Sequence, residues 1–241
     1  MGLNKRLIDQ AGGAAGVTGT DNFDIVTYTG NGSTQSITSL NFQPDLVWVK
    51  NRSAAQSHYL FDSVRGDNAG IFPDLTDAEY TSVNYISFDS NGFTTGSTNN
   101  INTNNYVAWC FKGGGTAVSN TNGTITSQVS ANQDAGFSIV KYTGTDTGDE
   151  TVGHGLLQKP ELVIYKNLDE ALDWSVYSAY LTTPEYYYLK LNSTDAQIYN
   201  LSMWNATDLT SSVLQLGSTD NVNSLNKNHI AYCFHSVDGY Q

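Results

Sequence analysis

A long internal repeat constrains this chain more than any other feature. Phe23-Asp-Ile-Val-Thr-Tyr-Thr-Gly30 returns as Phe137-Ser-Ile-Val-Lys-Tyr-Thr-Gly144, and Pro44-Asp-Leu-Val-Trp-Val-Lys-Asn51 returns as Pro160-Glu-Leu-Val-Ile-Tyr-Lys-Asn167. Tyr106-Val-Ala-Trp-Cys-Phe111 returns as His229-Ile-Ala-Tyr-Cys-Phe234. The order is kept and the offset drifts only from 114 to 123 residues, as expected for one unit copied and then altered by short insertions. A unit of roughly 115 residues has the size of a domain and exceeds the repeats of solenoids or propellers. Each copy can therefore in principle close a core of its own.

Within each copy, short β-branched or alternating runs are bounded by Gly, Asn, Asp and Pro, the pattern of strands and turns. Strands are expected near 23–29, 34–39, 45–50, 58–62, 83–88, 92–95 and 106–112. In the second copy they are expected near 137–142, 149–154, 161–166, 174–178, 186–191, 198–203, 213–217 and 229–235. No stretch of the repeats sustains a 3.6-residue apolar period over three turns; the best helical candidate is the segment around Leu3 to Gln10. Gly30-Asn31-Gly32 and Ser90-Asn91-Gly92 supply the positive φ angles of tight turns. These signals predict an all-β chain of two tandem β-sandwich domains, jelly-roll-like, arising from an internal duplication. The expected boundaries are a short N-terminal arm over 1–22, a first sandwich over 23–114, a linker over 115–136 and a second sandwich over 137–241. Gly123-Thr-Ile-Thr-Ser-Gln-Val129 has strand character inside that linker.

Charge narrows the partners. Only 14% of residues are charged, yet the net charge is −12, which repels a phosphate backbone and argues against nucleic acid. No apolar run approaches the 18 to 20 or so residues that cross a bilayer, so membrane insertion is not expected. Lys5 and Arg6 have no apolar segment behind them, and a secretory signal is not expected either. Cys110 and Cys233 occupy the same site in the two copies. A disulfide would need equivalent buried strands of two domains to meet within about 7 Å, so free buried thiols are expected, in keeping with a reducing cytoplasm.

The repeat also filters candidate chemistry. His154 lies between Gly153 and Gly155, and its counterpart is Thr38; His58 aligns with Trp174, His229 with Tyr106 and His235 with Lys112, so no histidine recurs. Asp62, Asp67, Asp74, Asp77 and Glu79 cluster as paired carboxylates would for glycoside hydrolysis. Ser178 stands at the Asp62 position, however, and the counterpart region is aromatic through Tyr186-Tyr-Tyr188, so a solvated loop is the expectation. Asp146, Asp149 and Glu150 offer oxygens to calcium but lack the spacing of a specific loop. There is no nucleophile elbow, HExxH or CxxC motif. No catalytic, cofactor-binding or metal residue is assigned, and an enzyme is not expected. Among the aromatics, Trp48, Trp109, Tyr165 and Tyr232 alternate along strands; core positions are expected for Trp109 and Tyr232. Tyr187, Trp204 and Tyr240 are candidates for exposure to sugars or protein partners.

The series NGSTQSITSLNFQPDLVWVKNRSA (31–54), FDSVRG (61–66), ISFDSNGFTTGS (86–97), YVAWCFKGGG (106–115), AGFSIVKYTG (135–144), VGHGL (152–156), PELVIYKN (160–167) and HIAYCF (229–234) resembles a β-rich repeat family of uncharacterised function. That family occurs in virion structural proteins of tailed bacteriophages, notably marine phages and cyanophages, and MGLNKRLID resembles the start of such proteins. The resemblance implies a virion protein made in the host cytoplasm, a connector or tip subunit of the tail or tail fibre that assembles through its N-terminal arm. Implied partners are other virion proteins and further copies of the chain, as a homo-oligomer. The alternatives are a capsid decoration or cement protein, and a carbohydrate-binding adhesin module whose partner is a host-surface glycan.

Overall fold

The computed structural model describes residues 19–81 and 85–238. The expected arm lies outside the described residues up to residue 18, as do Tyr240 and the first positions of the strand expected at 83–88. Regular structure is almost entirely β. The first repeat holds β1 (Phe23–Thr29), β2 (Gln35–Ile37), β3 (Leu46–Asn51), β4 (Tyr59–Asp62), β5 (Ala69–Gly70), β6 (Tyr80–Thr81), β7 (Ile86–Asp89), β8 (Gly92–Thr95) and β9 (Asn105–Phe111). Then come β10 (Val118–Asn120), β11 (Ser127–Asn132), β12 (Phe137–Thr143), β13 (Glu150–Gly153), β14 (Leu162–Asn167), β15 (Ser175–Ser178), β16 (Tyr187–Lys190), β17 (Ile198–Tyr199), β18 (Val213–Leu216) and β19 (Asn228–Phe234). Among the described residues, helix is confined to the four-residue turns α1 (Gly19–Asn22) and α2 (Asp220–Asn223) and a 3-10 turn at Ser97–Asn99; the helical candidate around Leu3 to Gln10 lies outside them.

Most strands fall within two residues of the expected bounds. The stretch 115–136, expected as a linker, instead contributes β10 and β11, which pair with each other and then with β12. Ile125 and Val129 enter the second repeat's apolar cluster, and β11 covers what would otherwise be an open edge of β12.

Strand order is the same in the two repeats. The first forms a four-stranded sheet β1-β9-β3-β4; the second places β12-β19-β14-β15 inside the eight-stranded sheet β10-β11-β12-β19-β14-β15-β16-β17. The register also matches. Phe111 pairs with Phe23 and Leu46, and Leu46 pairs with Asp62. Phe234 likewise pairs with Phe137 and Leu162, and Leu162 pairs with Ser178. Smaller sheets, β2-β8-β7 and β13-β18, complete the two repeats.

Side chains alternate across each large sheet, as the two-residue period of a strand requires. On one face of the first sheet, Val47, Val49, Ala108 and Cys110 join Ile37, Phe93 and Tyr28 in a cluster private to the first repeat. On the corresponding face of the second, Val163, Tyr165, Ala231 and Cys233 join Val152, Trp204 and Leu214. The opposite faces share a third cluster, in which Leu46, Leu60 and Ile71 of the first repeat pack with Phe137, Ile139, Trp174, Ile230 and Tyr232 of the second. At about 1.5–3 kcal/mol for each fully buried large apolar side chain, this layer is a principal source of cohesion between the repeats. It also bears on why β3 begins as an apolar run: Leu46 on one face and Val47 and Val49 on the other are buried.

Polar clamps recur at equivalent positions. The side-chain oxygen of fully buried Asn100 accepts the backbone N–H of Asn31 at 3.2 Å while its amide donates to the carbonyl of Ser33. Asn223 does the same for the N–H of Thr145, at 2.8 Å, and the carbonyl of Thr147. Tyr28 donates its hydroxyl to the carbonyl of Asn99, and Tyr142 to that of Val222. Gly30 and Gly144 sit beneath these clamps, where a Cβ would come within 2.1 Å of the Ile101 carbonyl oxygen and 2.3 Å of that of Ser224. Removing a buried amide strands its backbone partners, at about 1–3 kcal/mol. Asn100→Ala and Asn223→Ala are thus expected to lower stability by similar amounts in urea titrations, and an unchanged midpoint for either would contradict the clamp's role.

Candidate functional site

The densest polar constellation is at the shared layer. Asp62, at the end of β4, is fully buried, and the Arg65 guanidinium lies three residues on with its side chain equally inaccessible. Arg65 Nε donates to Asp62 Oδ2 at 2.5 Å and Nη1 to Glu79 Oε2 at 3.0 Å, while Nη1 and Nη2 also reach the carbonyls of Ala69 and Leu60. The other Asp62 oxygen accepts the backbone N–H groups of Val64 and Arg65. From the second repeat, Tyr232 donates its hydroxyl to Asp62 Oδ2 at 2.6 Å. Burial alone would lower the Arg65 pKa, but the carboxylates of Asp62 and Glu79 together with Tyr232 outweigh it and raise the value, so the cation is locked on. Burial, reinforced by the neighbouring Asp62, pushes the Tyr232 hydroxyl upward.

The expected solvated carboxylate loop is therefore corrected at Asp62, which is walled in because Tyr232 and the shared layer cover it. Its neighbours diverge. Glu79 completes the Arg65 pair, Asp74 accepts the backbone N–H of His58, and Asp67 borders a separate surface cleft beside Asn68. Asp77 lies in the field of Lys166. The geometry gives an internal ion pair rather than two carboxylates poised across a glycosidic bond.

The segment after β5 ties the repeats together further. Trp174 Nε1 donates to the carbonyls of Phe72 and Leu75, at 3.0 and 3.1 Å. Lys166 is buried with its ammonium on the carbonyls of Thr76, Glu170 and Leu172, and burial lowers its pKa to about 8. The Glu79 N–H reaches the carbonyl of Leu168.

The histidines are dispersed. His154 is buried, accepting the Leu156 N–H at Nδ1 with Nε2 3.3 Å from the Thr210 carbonyl, and burial lowers its pKa to about 4. His229 is buried and stacked on Tyr142 at 5.3 Å, the place where Tyr106 stacks on Tyr28; burial likewise lowers it to about 4. His58 Nδ1 accepts from the Trp48 indole at 2.9 Å, and His235 Nδ1 lies 2.8 Å from the Ser236 carbonyl. Cys110 and Cys233 are buried free thiols in different apolar clusters, each raised by burial to about 12. In the connection between β12 and β13, Asp149 accepts from the Asn205 amide, and Glu150, at the start of β13, from the Thr124 hydroxyl. Among the described residues no group of three or more His, Cys, Asp or Glu could hold a metal ion.

The aromatics correct two expectations. Trp204, a candidate for exposure, is fully buried and packs on Tyr165 and Tyr177. Trp109, expected in the core, is only half-buried and meets half-buried Trp48 edge-on at 6.2 Å. Tyr232 and Tyr165 are buried as the alternation predicts, and Tyr187 is half-buried. The polar groups that the sequence reading passed over are Arg65 and the asparagine clamps. The signal for the asparagines was present, since Asn51 and Asn167, like Asn100 and Asn223, align under the repeat's own offsets; Arg65 had no recurring partner to flag it.

A family model described as "Domain of unknown function (DUF7483)" matches residues 18–241. No curated protein and no solved structure matches the chain.

The two buried imidazoles set a pH dependence. Both are lowered from 6.5 to about 4, so between those values the unfolded chain binds protons that the fold excludes. Stability is complete above about pH 6.5 and is expected to fall by about 2 kcal/mol per histidine on going to pH 5. His229→Tyr, which installs the first repeat's residue, should shallow that decline. Equal urea midpoints at pH 7 and pH 5 for the unaltered protein would contradict it.

Proposed function

The chain belongs to the DUF7483 family, and from its motif series we propose that it is a bacteriophage virion structural protein. In this reading it is a connector or tip subunit of the tail or tail fibre, made in the host cytoplasm and assembled through its N-terminal arm. We further read its architecture as two β-sandwich units descended from an internal duplication. One observation supports the structural role above the rest. What the repeats hold in common, position for position, are groups that shape backbone and core: the Asn100 and Asn223 clamps, Gly30 and Gly144, and the alternating apolar faces. The buried aspartate and the histidines do not recur: Ser178 stands at the Asp62 position under the offset, and His229 replaces Tyr106, while the recurring Cys110 and Cys233 are buried in the apolar clusters. Selection for a shared scaffold leaves this pattern, whereas a shared reaction would preserve its reacting groups. The phage assignment rests on the motif series that resembles virion proteins.

Mass spectrometry of separated heads and tails from purified particles tests the reading. The chain is expected in the tail fraction, and removing residues 1–20 should abolish its incorporation while leaving β-sheet circular dichroism unchanged. Recovery only with heads would transfer the protein to the capsid as a decoration subunit; absence from purified particles would overturn the virion role.

A further inference from the structure

The shared layer is covered on one side and open on the other. In the second repeat, the row Ile139–Tyr232–Ile164 runs across β12, β19 and β14; Ile139 and Tyr232 are 0% and 1% exposed in the cluster with Leu46, Leu60 and Ile71, and Ile164 is half-buried at its end. The same row of the first repeat is Ile25–Trp109–Trp48. There Ile25 is 49% exposed and both indoles are only half-buried. The complementary half shows the reverse. Leu46 is 2% exposed, whereas its counterpart Leu162 is 36% exposed, and Tyr180, which follows β15 as Val64 follows β4, is 81% exposed.

The cause is local. After β4 the chain folds back over the layer, with Ile71 bridging to Leu60 and Arg65 anchored on Asp62. After β15 the Asp62 position is Ser178, so no arginine is held there, and the chain turns away through Tyr180. A groove of about 540 Å³ remains, walled by Trp48, Phe111, Leu162, Ile164, Tyr180 and Phe234. It continues the apolar cluster that joins the repeats, because Trp48, Phe111, Ile164 and Phe234 belong to both. A contiguous apolar opening of this kind marks an interaction site.

We propose that this groove is a self-association surface, through which two copies of the chain pair about a two-fold axis. The occupant follows from the equivalence: wherever these same positions are covered within the chain, this chain's own apolar side chains cover them. The surface also contains both members of an isologous contact. Tyr180 and Leu162 project, while the cleft between Trp48 and Ile164 receives, so each copy offers the other what it lacks. Glu161 on the rim already accepts the Ser236 N–H and the Tyr180 hydroxyl, so its oxygens have hydrogen-bond donors without a second copy. The proposal goes beyond the preceding reading and stands independently of any virion location.

Light scattering coupled to size exclusion tests it on the full chain. The unaltered protein is expected at twice the 26.2 kDa of one chain, and Leu162→Glu at a single chain with unchanged circular dichroism. Val118→Glu, exposed on β10 away from the groove, should remain paired. Should Leu162→Glu fail to fold, Tyr180→Ala at its open position replaces it, with at least a tenfold weaker dimer expected. A single-chain mass for the unaltered protein at every concentration, a mass above two chains, or a dimer that survives Leu162→Glu and Tyr180→Ala overturns the proposal. So does tryptophan quenching by a host polysaccharide on a monomeric protein, which would assign the groove to a glycan.

Discussion

The structure depends on one buried guanidinium. Arg65 lies in the layer between the repeats with its side chain inaccessible, and an isolated charge there would cost far more than the surrounding apolar contacts return. Two carboxylates and two backbone carbonyls meet it, and Tyr232 from the second repeat fixes the carboxylate that faces it. The pair is thus more than an anchor within the first repeat. Its satisfaction requires β4, the returning segment through Glu79, and β19 to be in place together. Trp174 and Lys166 extend that dependence by donating to carbonyls of the same segment.

From this constraint the asymmetry of the molecule follows. The two large sheets share strand order and register, yet only the first repeat closes over the common layer, because only it has aspartate at the position that can hold an arginine. The second repeat, with Ser178 there, spends its corresponding segment on β16 and β17, which lengthen its sheet. Equivalent faces therefore end in different environments, and the difference between Leu46 and Leu162 is a consequence of one residue pair rather than of the strands themselves.

Much of the fold was legible in the sequence because the strands carry their own pattern. Alternation located β1, β3, β9 and their counterparts, and glycine-asparagine turns bounded them. Lost from view were β5, β6 and β10, each of two or three residues. The burial of Asp62 was equally hidden: its cover, Tyr232, is 170 residues away in the chain, and an acidic residue near other acids reads as solvent-facing until that cover is known. Trp109 was misjudged for a related reason: alternation tells which face a side chain takes, but whether that face is covered depends on the other repeat. Trp204 lies outside any strand, where no alternation applies, and is buried against Tyr165 and Tyr177 of its own repeat. The asparagine clamps were recoverable from the repeat alone, since a buried amide must recur wherever the same backbone groups need partners.

The central claim is that the ion pair and the apolar layer join the two repeats into one cooperative unit. Equilibrium unfolding of Arg65→Met followed by hydrogen exchange in both repeats tests it most directly. Removing one member of a buried pair strands the other, at about 3–5 kcal/mol, and amides of β3 and of β14 should lose protection together in a single transition. Loss confined to the first repeat, with β12, β14 and β19 keeping the protection of the unaltered protein, would contradict it.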